Sequence, residues 1–230
     1  MHVINVIIPA YNEEASIGLV IGDIPAIVNQ VIVVNNNSSD NTAQVAQSAG
    51  ATVLTEKSKG YGYACLKAMD YIKNQEIKPD VIVFMDGDYS DYPEELMSVI
   101  APIIDKDIDL VIGTRSAVGR AKNSMTPQQL FGNWLATSLM RLFFNATYTD
   151  LGPFRAIKYS KLLALEMQDK TYGWTVEMQL KVLKKKFSYT EVPVKYRERI
   201  GVSKVSGTVK GTVMAGIKIL GWIFKYSMKK

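Results

Sequence analysis

The alternation of short apolar runs with helical patterns constrains this chain most. Strand-like runs at Val3–Ile8, Val31–Val34, Thr52–Leu54, Val81–Met85 and Leu110–Ile112 are separated by helical patterns over Ala15–Ile24, Asn41–Ala49, Tyr63–Lys73 and Glu94–Ile104. Such an order predicts strand–helix–strand crossovers and a mainly parallel central sheet flanked by helices. Ser39 or Asp40 suits the start of the second helix, Gly50 its end, and Pro93 the start of the fourth. Beyond Arg115 the pattern changes. Gly119–Pro127 reads as a basic loop, and Gln128–Asn145 as a helix with Phe131, Trp134, Leu135, Leu139, Leu142 and Phe143 on or near one face. A helix from about Val176 to Lys185, a strand at Tyr189–Val194, a loop at Tyr196–Ser206 and an amphipathic tail over Val209–Tyr226 complete the chain.

Each strand runs into a polar segment. In order these are Pro9-Ala10-Tyr11-Asn12-Glu13-Glu14, Asn35-Asn36-Asn37-Ser38-Ser39-Asp40, Lys57-Ser58-Lys59-Gly60-Tyr61-Gly62, Asp86-Gly87-Asp88 and Gly113-Thr114-Arg115. Ligands of open α/β sheets bind at the carboxyl ends of the strands, so the five segments are expected to share one site. Asp86 and Asp88, two residues apart where a buried strand ends, suit Mg²⁺ or Mn²⁺. Such a cation is usually held by one or two carboxylates and completed by substrate phosphates. It would neutralise a diphosphate leaving group.

Charge agrees with an anionic ligand: the net charge is +5 and the pI about 9.1. Nucleic acid is not the expected partner, because no recognition helix or aromatic–basic RNA motif stands out. Cys65 is the only cysteine. That excludes an internal disulfide, fits a reducing compartment, and reads as a small buried hydrophobe rather than a nucleophile. His2, the only histidine, sits at the terminus and receives no role, which disfavours His-dependent triads. The start of the chain runs straight into a strand pattern rather than a secretory signal. Lys218 and Lys225 interrupt the apolar tail, so no membrane span is expected.

The ordered motifs resemble family 2 glycosyltransferases with the nucleotide-sugar-binding GT-A fold, a Rossmann-like arrangement. Within that family the likeness is greatest to the polyprenyl-phosphate (dolichol-phosphate) mannosyl- and glucosyltransferases. Besides the five segments it rests on Thr149-Asp150-Leu151-Gly152-Pro153-Phe154-Arg155, Trp174-x-x-Glu177 and Arg197-x-Arg199-x-Gly201-x-Ser203-Lys204. The resemblance implies a GT-A domain over residues 1–207 and a C-terminal helix over 208–230 that meets a membrane interface or packs on the domain. Pro9, Tyr11, Glu13 and Asp40 would form the nucleotide pocket, although Glu13 and Asp40 also suit helix N-termini. Gly60 and Gly62 would let backbone approach the ligand, with Lys59 near phosphate. Asp88 is the surer metal ligand, and Asp86 would contact either ribose or the metal. Many relatives carry Gln where this chain has Ser90, with Asp91 next to it, which leaves the third ligand open. Arg115 and Arg199 would face the acceptor phosphate and Lys204 the diphosphate. Arg120 and Lys122 are weaker candidates. Asp150 would be a general base for a hydroxyl acceptor or an orienting group for a phosphate acceptor. Trp174 and Glu177 would shape the sugar pocket, and Lys184-Lys185-Lys186 reads as a solvated helix end.

The expected activity is inverting, metal-dependent transfer of a hexose from a UDP- or GDP-sugar to polyprenyl phosphate. Transfer to a sugar hydroxyl in polysaccharide or glycolipid synthesis is the alternative within the same chemistry. A non-catalytic nucleotide-sugar-binding protein is the alternative outside it. A lipid acceptor implies a cytoplasmic protein placed peripherally on the membrane face. The Phe131–Phe144 helix or the Val213–Met228 tail would make that contact. A homo-oligomer or a separate membrane partner is compatible with these features.

Overall fold

The computed structural model describes residues 2–201, 203 and 208–228. Seven strands form one sheet in the order β3-β2-β1-β4-β6-β5-β7. They are β1 (Ile4–Ala10), β2 (Gln30–Asn35), β3 (Thr52–Thr55), β4 (Val81–Phe84), β5 (Leu110–Thr114), β6 (Arg155–Lys158) and β7 (Tyr189–Pro193). The helices are α1 (Ile17–Gly22), α2 (Thr42–Ser48), α3 (Tyr61–Lys73), α4 (Leu96–Lys106), α5 (Pro127–Phe144), α6 (Tyr159–Leu165), α7 (Trp174–Lys184) and α8 (Val209–Met228). The five apolar runs are thus strands, and the helices between them cover the two faces of the sheet. Two apolar layers result, one centred on Ile7, Ile32, Phe84, Ile112 and Trp174, the other on Val6, Ile8, Val33, Val83 and Val111.

β6 and α6 escape a reading based on apolar runs. Arg155-Ala156-Ile157-Lys158 has a charge at each end, yet Arg155 is fully buried in the middle of the sheet. β6 pairs antiparallel with both β4 and β5, whereas the other neighbours pair parallel. Its beginning therefore lies at the edge where the other strands end. That reversal delivers the segment before it, Thr149–Phe154, to the shared edge.

α5 begins with a capping box: Thr126 Oγ1 accepts the Gln129 N–H, and Gln129 Oε1 accepts the Thr126 N–H. Its buried face is narrow, formed by Ala136, Thr137 and Met140. Phe131, Trp134, Leu142 and Phe143 point to solvent, with Phe131 61% and Leu142 73% exposed. α8 lies against α5 and α7. Its Trp222 and Ile223 join the core, while Val213, Met214, Ile217, Phe224 and Met228 are exposed. Trp222 thus faces the protein. The expected boundary between residues 207 and 208 falls at the edge of the undescribed segment 204–207. Among the described residues no helix is long and apolar enough to cross a membrane.

Candidate active site

The loops after β1 and β2 are tied to each other before they meet any ligand. The Asn36 N–H donates to Ala10 O (2.8 Å), the Glu13 N–H to Thr42 Oγ1 (2.8 Å) and the Ser39 N–H to Asn12 Oδ1 (2.8 Å). Asp40 accepts from the Thr42 N–H (3.1 Å), the Thr42 hydroxyl and the Glu14 N–H (3.3 Å). Against the cost of desolvation, these bonds hold its carboxyl below the usual range. Pro9 and Tyr11 are half-buried at the end of β1. Lys59 reaches over from the third segment, its Nζ 3.4 Å from the Tyr11 hydroxyl and 5.1 Å from the ring centre.

Asp86 and Asp88 follow β4. Asp88 is buried, and its Oδ1 accepts from the Ser90 N–H (2.9 Å) and hydroxyl. Its Oδ2 lies 3.0 Å from Arg199 Nη2, which also lies 3.3 Å from Glu13 Oε1. Ser90 is therefore committed to orienting Asp88. Asp91 is 1% exposed, and neither of its carboxylate oxygens has a hydrogen-bond partner among the described residues. Desolvation, together with Asp88, pushes the Asp86 carboxyl up to about 7 although Arg199 and Arg115 oppose the rise. Burial, then Asp86 and Asp88, push Asp91 well above the usual range. Crowded carboxyl groups in a low-dielectric setting suit a divalent cation. Among the described residues, no three His, Cys, Asp or Glu side chains form a cage. A cation at Asp86 and Asp88 would take its other ligands from a bound diphosphate.

Arg115, at the end of β5, and Asp150, before β6, form a two-pronged ion pair. Arg115 Nε donates to Asp150 Oδ2 (2.9 Å) and Nη2 to Oδ1 (2.6 Å), while the Arg115 N–H adds a bond to Oδ2 (2.8 Å). Both side chains are at most 10% exposed. Desolvation works against the Asp150 charge, but Arg115 outweighs it and keeps the carboxyl below the usual range. The guanidinium also packs 5.1 Å from the Tyr196 ring centre. The Arg155 guanidinium is bound by carbonyls instead: it donates to Gly152 O (2.9 Å), Leu151 O (2.7 Å) and Thr175 O (3.0 Å). It fixes the turn that presents Asp150, and its own pKa falls to about 10 through desolvation.

A cavity of about 800 Å³ starts at Asp86, Asp88, Arg115 and Arg199 and continues between α5 and α8. Phe131, Leu135, Ala215, Ile219 and Leu220 line its far part, and Trp174 and Tyr196 its near part. The cavity thus joins a charged end to an apolar groove.

Glycosyl transferase family 2 matches residues 5–164, from β1 into α6. The chain belongs to this family. An undecaprenyl-phosphate mannosyltransferase of Micrococcus luteus is 30% identical to this glycosyltransferase, over 92% of this chain and 90% of that one. The dolichyl-phosphate hexose transferase of Haloferax volcanii is 29% identical, over 91% and 89%. The solved glucosyl-3-phosphoglycerate synthase of Mycobacterium tuberculosis, in complex with Mn²⁺, UDP and phosphoglyceric acid, has a TM-score of 0.79 at 18% identity, over 99% of this chain and 79% of that chain. The fold is the GT-A fold.

The glycosyltransferase departs from its sequence-based reading at several positions. Glu177 does not line the cavity. It is fully buried, accepts the backbone N–H groups of Gln168 (3.0 Å) and Asp169 (2.7 Å), and pairs with Lys181 at 2.8 Å. Trp174 does reach the cavity wall, and its ring meets Phe84 edge-on at 5.8 Å. Gly60 and Gly62 give way to the protein's own backbone: a Cβ there would lie 2.2 Å from Lys170 O and 2.0 Å from Asp169 O. The N-terminus of α3 is equally occupied, since the Gly60 N–H donates to Asn36 Oδ1 (2.8 Å) and the Tyr63 N–H to Lys170 O (3.0 Å). Asn36 is a site-building residue that the sequence concealed inside its run of asparagines. Arg199 sits on Glu13 and Asp88, and it lines the same cavity as Arg115. Lys204 lies outside the described residues.

The raised carboxyl of Asp86 has a measurable consequence. Where the unfolded chain has released this proton and the folded protein keeps it, the folded state binds more protons. Stability must then fall with rising pH. Metal-free protein is expected to lose thermal stability between about pH 4, the unfolded Asp value, and about pH 7, the folded value. Asp86→Asn should flatten that slope; melting curves across this range check it, and identical slopes would refute it.

Proposed function

We propose that this glycosyltransferase is inverting and metal-dependent and moves a hexose from a UDP- or GDP-sugar to a polyprenyl phosphate. The observation that carries this reading is the cavity that begins at the carboxylates and ends between apolar faces of α5 and α8. An acceptor with an anionic head and a hydrocarbon tail matches both ends. The similarity to transferases whose names specify undecaprenyl and dolichyl phosphate supports the same class.

In this reading Pro9, Tyr11, Glu13, Asp40 and Lys59 hold the nucleotide. Asp86 and Asp88 would hold Mg²⁺ or Mn²⁺, which supplies positive charge to the departing diphosphate. An acceptor phosphate oxygen attacks the anomeric carbon from the side opposite the diphosphate. The new C–O bond forms as the bond to the diphosphate breaks, and the configuration inverts. Arg199, and Lys204 with it, stabilises charge on the phosphates, while Arg115 is held toward the acceptor by Asp150. A phosphate acceptor is already anionic near neutral pH and needs no base. The pairing of Asp150 with Arg115 favours this acceptor over a sugar hydroxyl, which would require a free base.

Exposed apolar side chains of α5 and α8 flank the cavity and would place it at the bilayer surface, on the cytoplasmic side. Calorimetry with UDP, GDP, UDP-glucose and GDP-mannose, each with and without Mn²⁺, tests the donor reading. Metal-dependent binding of one nucleotide is expected, and no binding to any of them, with or without vesicles, would overturn it.

The groove makes its own prediction. Gly132 and Gly216 line it from facing helices, and a Cβ at either would meet nothing within 4 Å among the described residues. Glycine weakens a helix by about 1 kcal/mol relative to alanine, yet no packing requires it here. Gly216→Leu should fill the groove. Transfer to a long polyprenyl phosphate is expected to fall at least about tenfold in kcat/KM, while a short, water-soluble prenyl phosphate is used as before. Equal losses on both acceptors would separate the groove from the lipid tail.

A further inference from the structure

The half of α8 that roofs the groove faces a cavity along much of its inner side, with Ile219 also packing against the core. Thr212, Ala215, Gly216, Ile219 and Leu220 all line that cavity. Dispersion contacts are lost wherever a side chain faces a void, so contacts beside this half carry a larger share of its placement. A buried carboxylate away from the metal-type site does this. Asp169, in the turn between α6 and α7, is 1% exposed. Its Oδ1 accepts the backbone N–H groups of Thr171 (2.7 Å) and Gly173 (2.9 Å). Its Oδ2 accepts the Trp222 indole N–H (2.7 Å) and lies 3.2 Å from Lys218 Nζ. One side chain thus shapes the turn and clamps α8 onto it. The fit is tight, because a Cβ at Gly173 would come within 2.5 Å of the Trp222 ring. Both clamped parts line the groove, the turn through Thr171 and Tyr172. The turn is in its own right rigidly held: Glu177 takes two of its N–H groups, and the start of α3 packs on its carbonyls. The Asp169 carboxylate thus spends its contacts on the turn and on α8, not on the residues assigned to donor or metal.

We propose that Asp169 is a positioning residue for the acceptor: by seating α8 through Trp222 and Lys218 it sets the width of the groove that receives the hydrocarbon tail. The inference rests on the lipid-acceptor reading above. It requires an effect on long acceptors that spares donor binding, which general destabilisation would not produce.

The test uses the full chain in vesicles, with Trp222→Phe to remove the indole donor while keeping a ring, Lys218→Met to remove the cation, and Asp169→Asn beside Asp169→Ala. Kinetics are measured with a long polyprenyl phosphate and with a short, water-soluble prenyl phosphate, and nucleotide affinity by calorimetry. Trp222→Phe and Asp169→Ala are expected to raise KM for the long acceptor about tenfold. Lys218→Met, half-exposed, should raise it less, and Asp169→Asn, which keeps an accepting oxygen, should recover part of the loss. Short-acceptor kinetics and nucleotide affinity stay within about twofold. If Asp169→Ala does not fold, the two α8 variants carry the test alone. Parallel losses on both acceptors, or no change in long-acceptor KM, overturn the assignment. If the wild-type protein itself makes no distinction between the acceptors, the lipid reading falls and this inference falls with it. Discrimination by the wild type that the variants retain removes only the role of Asp169.

Discussion

Asp88→Asn is expected to lower kcat/KM for hexose transfer by about 10³-fold or more, some 4 kcal/mol of transition-state stabilisation. The side chain is buried, and its two oxygens have separate duties, one bound by Ser90 and the other facing Arg199. Asparagine keeps the shape and one accepting oxygen. What disappears is a negative charge at the point where, in the proposed reading, a cation and a diphosphate would be held together. The fold should survive, because Asp86 is already pushed up to about 7 by burial and by Asp88. Removing one member of a crowded pair relieves repulsion, so the melting temperature of the metal-free variant should equal or exceed that of the wild type near neutral pH. Three measurements together check the prediction: transfer rate, Mn²⁺-dependent nucleotide binding and thermal stability. Transfer within tenfold of wild type would remove Asp88 from the site; a collapsed melting temperature would make its role structural.

The architecture was legible where side-chain pattern and strand direction agree. Parallel strands buried on both faces read as uninterrupted apolar runs, and six strands pointing one way gather their following loops on one edge. That is why Tyr11, Asp40, Asp88 and Arg115 group together on their positions in the chain alone. β6 broke the rule twice, being antiparallel and beginning with a buried arginine, and only the observed pairing explains how Asp150 reaches the same edge. Contacts across long stretches of sequence were invisible. Gly60 and Gly62 read as ligand-facing, yet the backbone that needs their missing Cβ atoms comes from Asp169 and Lys170. Glu177 kept its motif spacing but turns into the core, because two N–H groups of the preceding turn lie in reach and need an acceptor. The apolar stripe of α5 was visible as periodicity. Periodicity gives no sign of direction, and the small Ala136 face, not the aromatic one, meets the domain.

Asp150→Asn is expected to lower kcat/KM about 10²-fold, and the form of the loss distinguishes positioning from base catalysis. The Asp150 carboxyl is held below the usual range by Arg115, despite the desolvation that would raise it. A group depressed in this way stabilises the folded state above its unfolded value, and that contribution is lost only as pH falls below about 4. It should therefore give no acidic limb to the rate profile above about pH 5. A carboxylate engaged by both prongs of a guanidinium is also a weak proton acceptor. The burden of the variant then falls on Arg115, left buried with a neutral partner; removing one member of a buried pair costs about 3–5 kcal/mol, and asparagine offsets part of this by keeping an accepting oxygen. Arg115→Gln should do comparable damage to transfer, and the double variant should be scarcely worse than either single one, since both changes dismantle the same unit. A base would behave otherwise. Its loss would add to that of Arg115, the wild-type profile would titrate with the base, and the loss would be far greater with a hydroxyl acceptor than with a phosphate. Additive losses in the cycle would transfer Asp150 from holding the arginine to accepting the proton, and would bring the hydroxyl acceptor forward as the substrate.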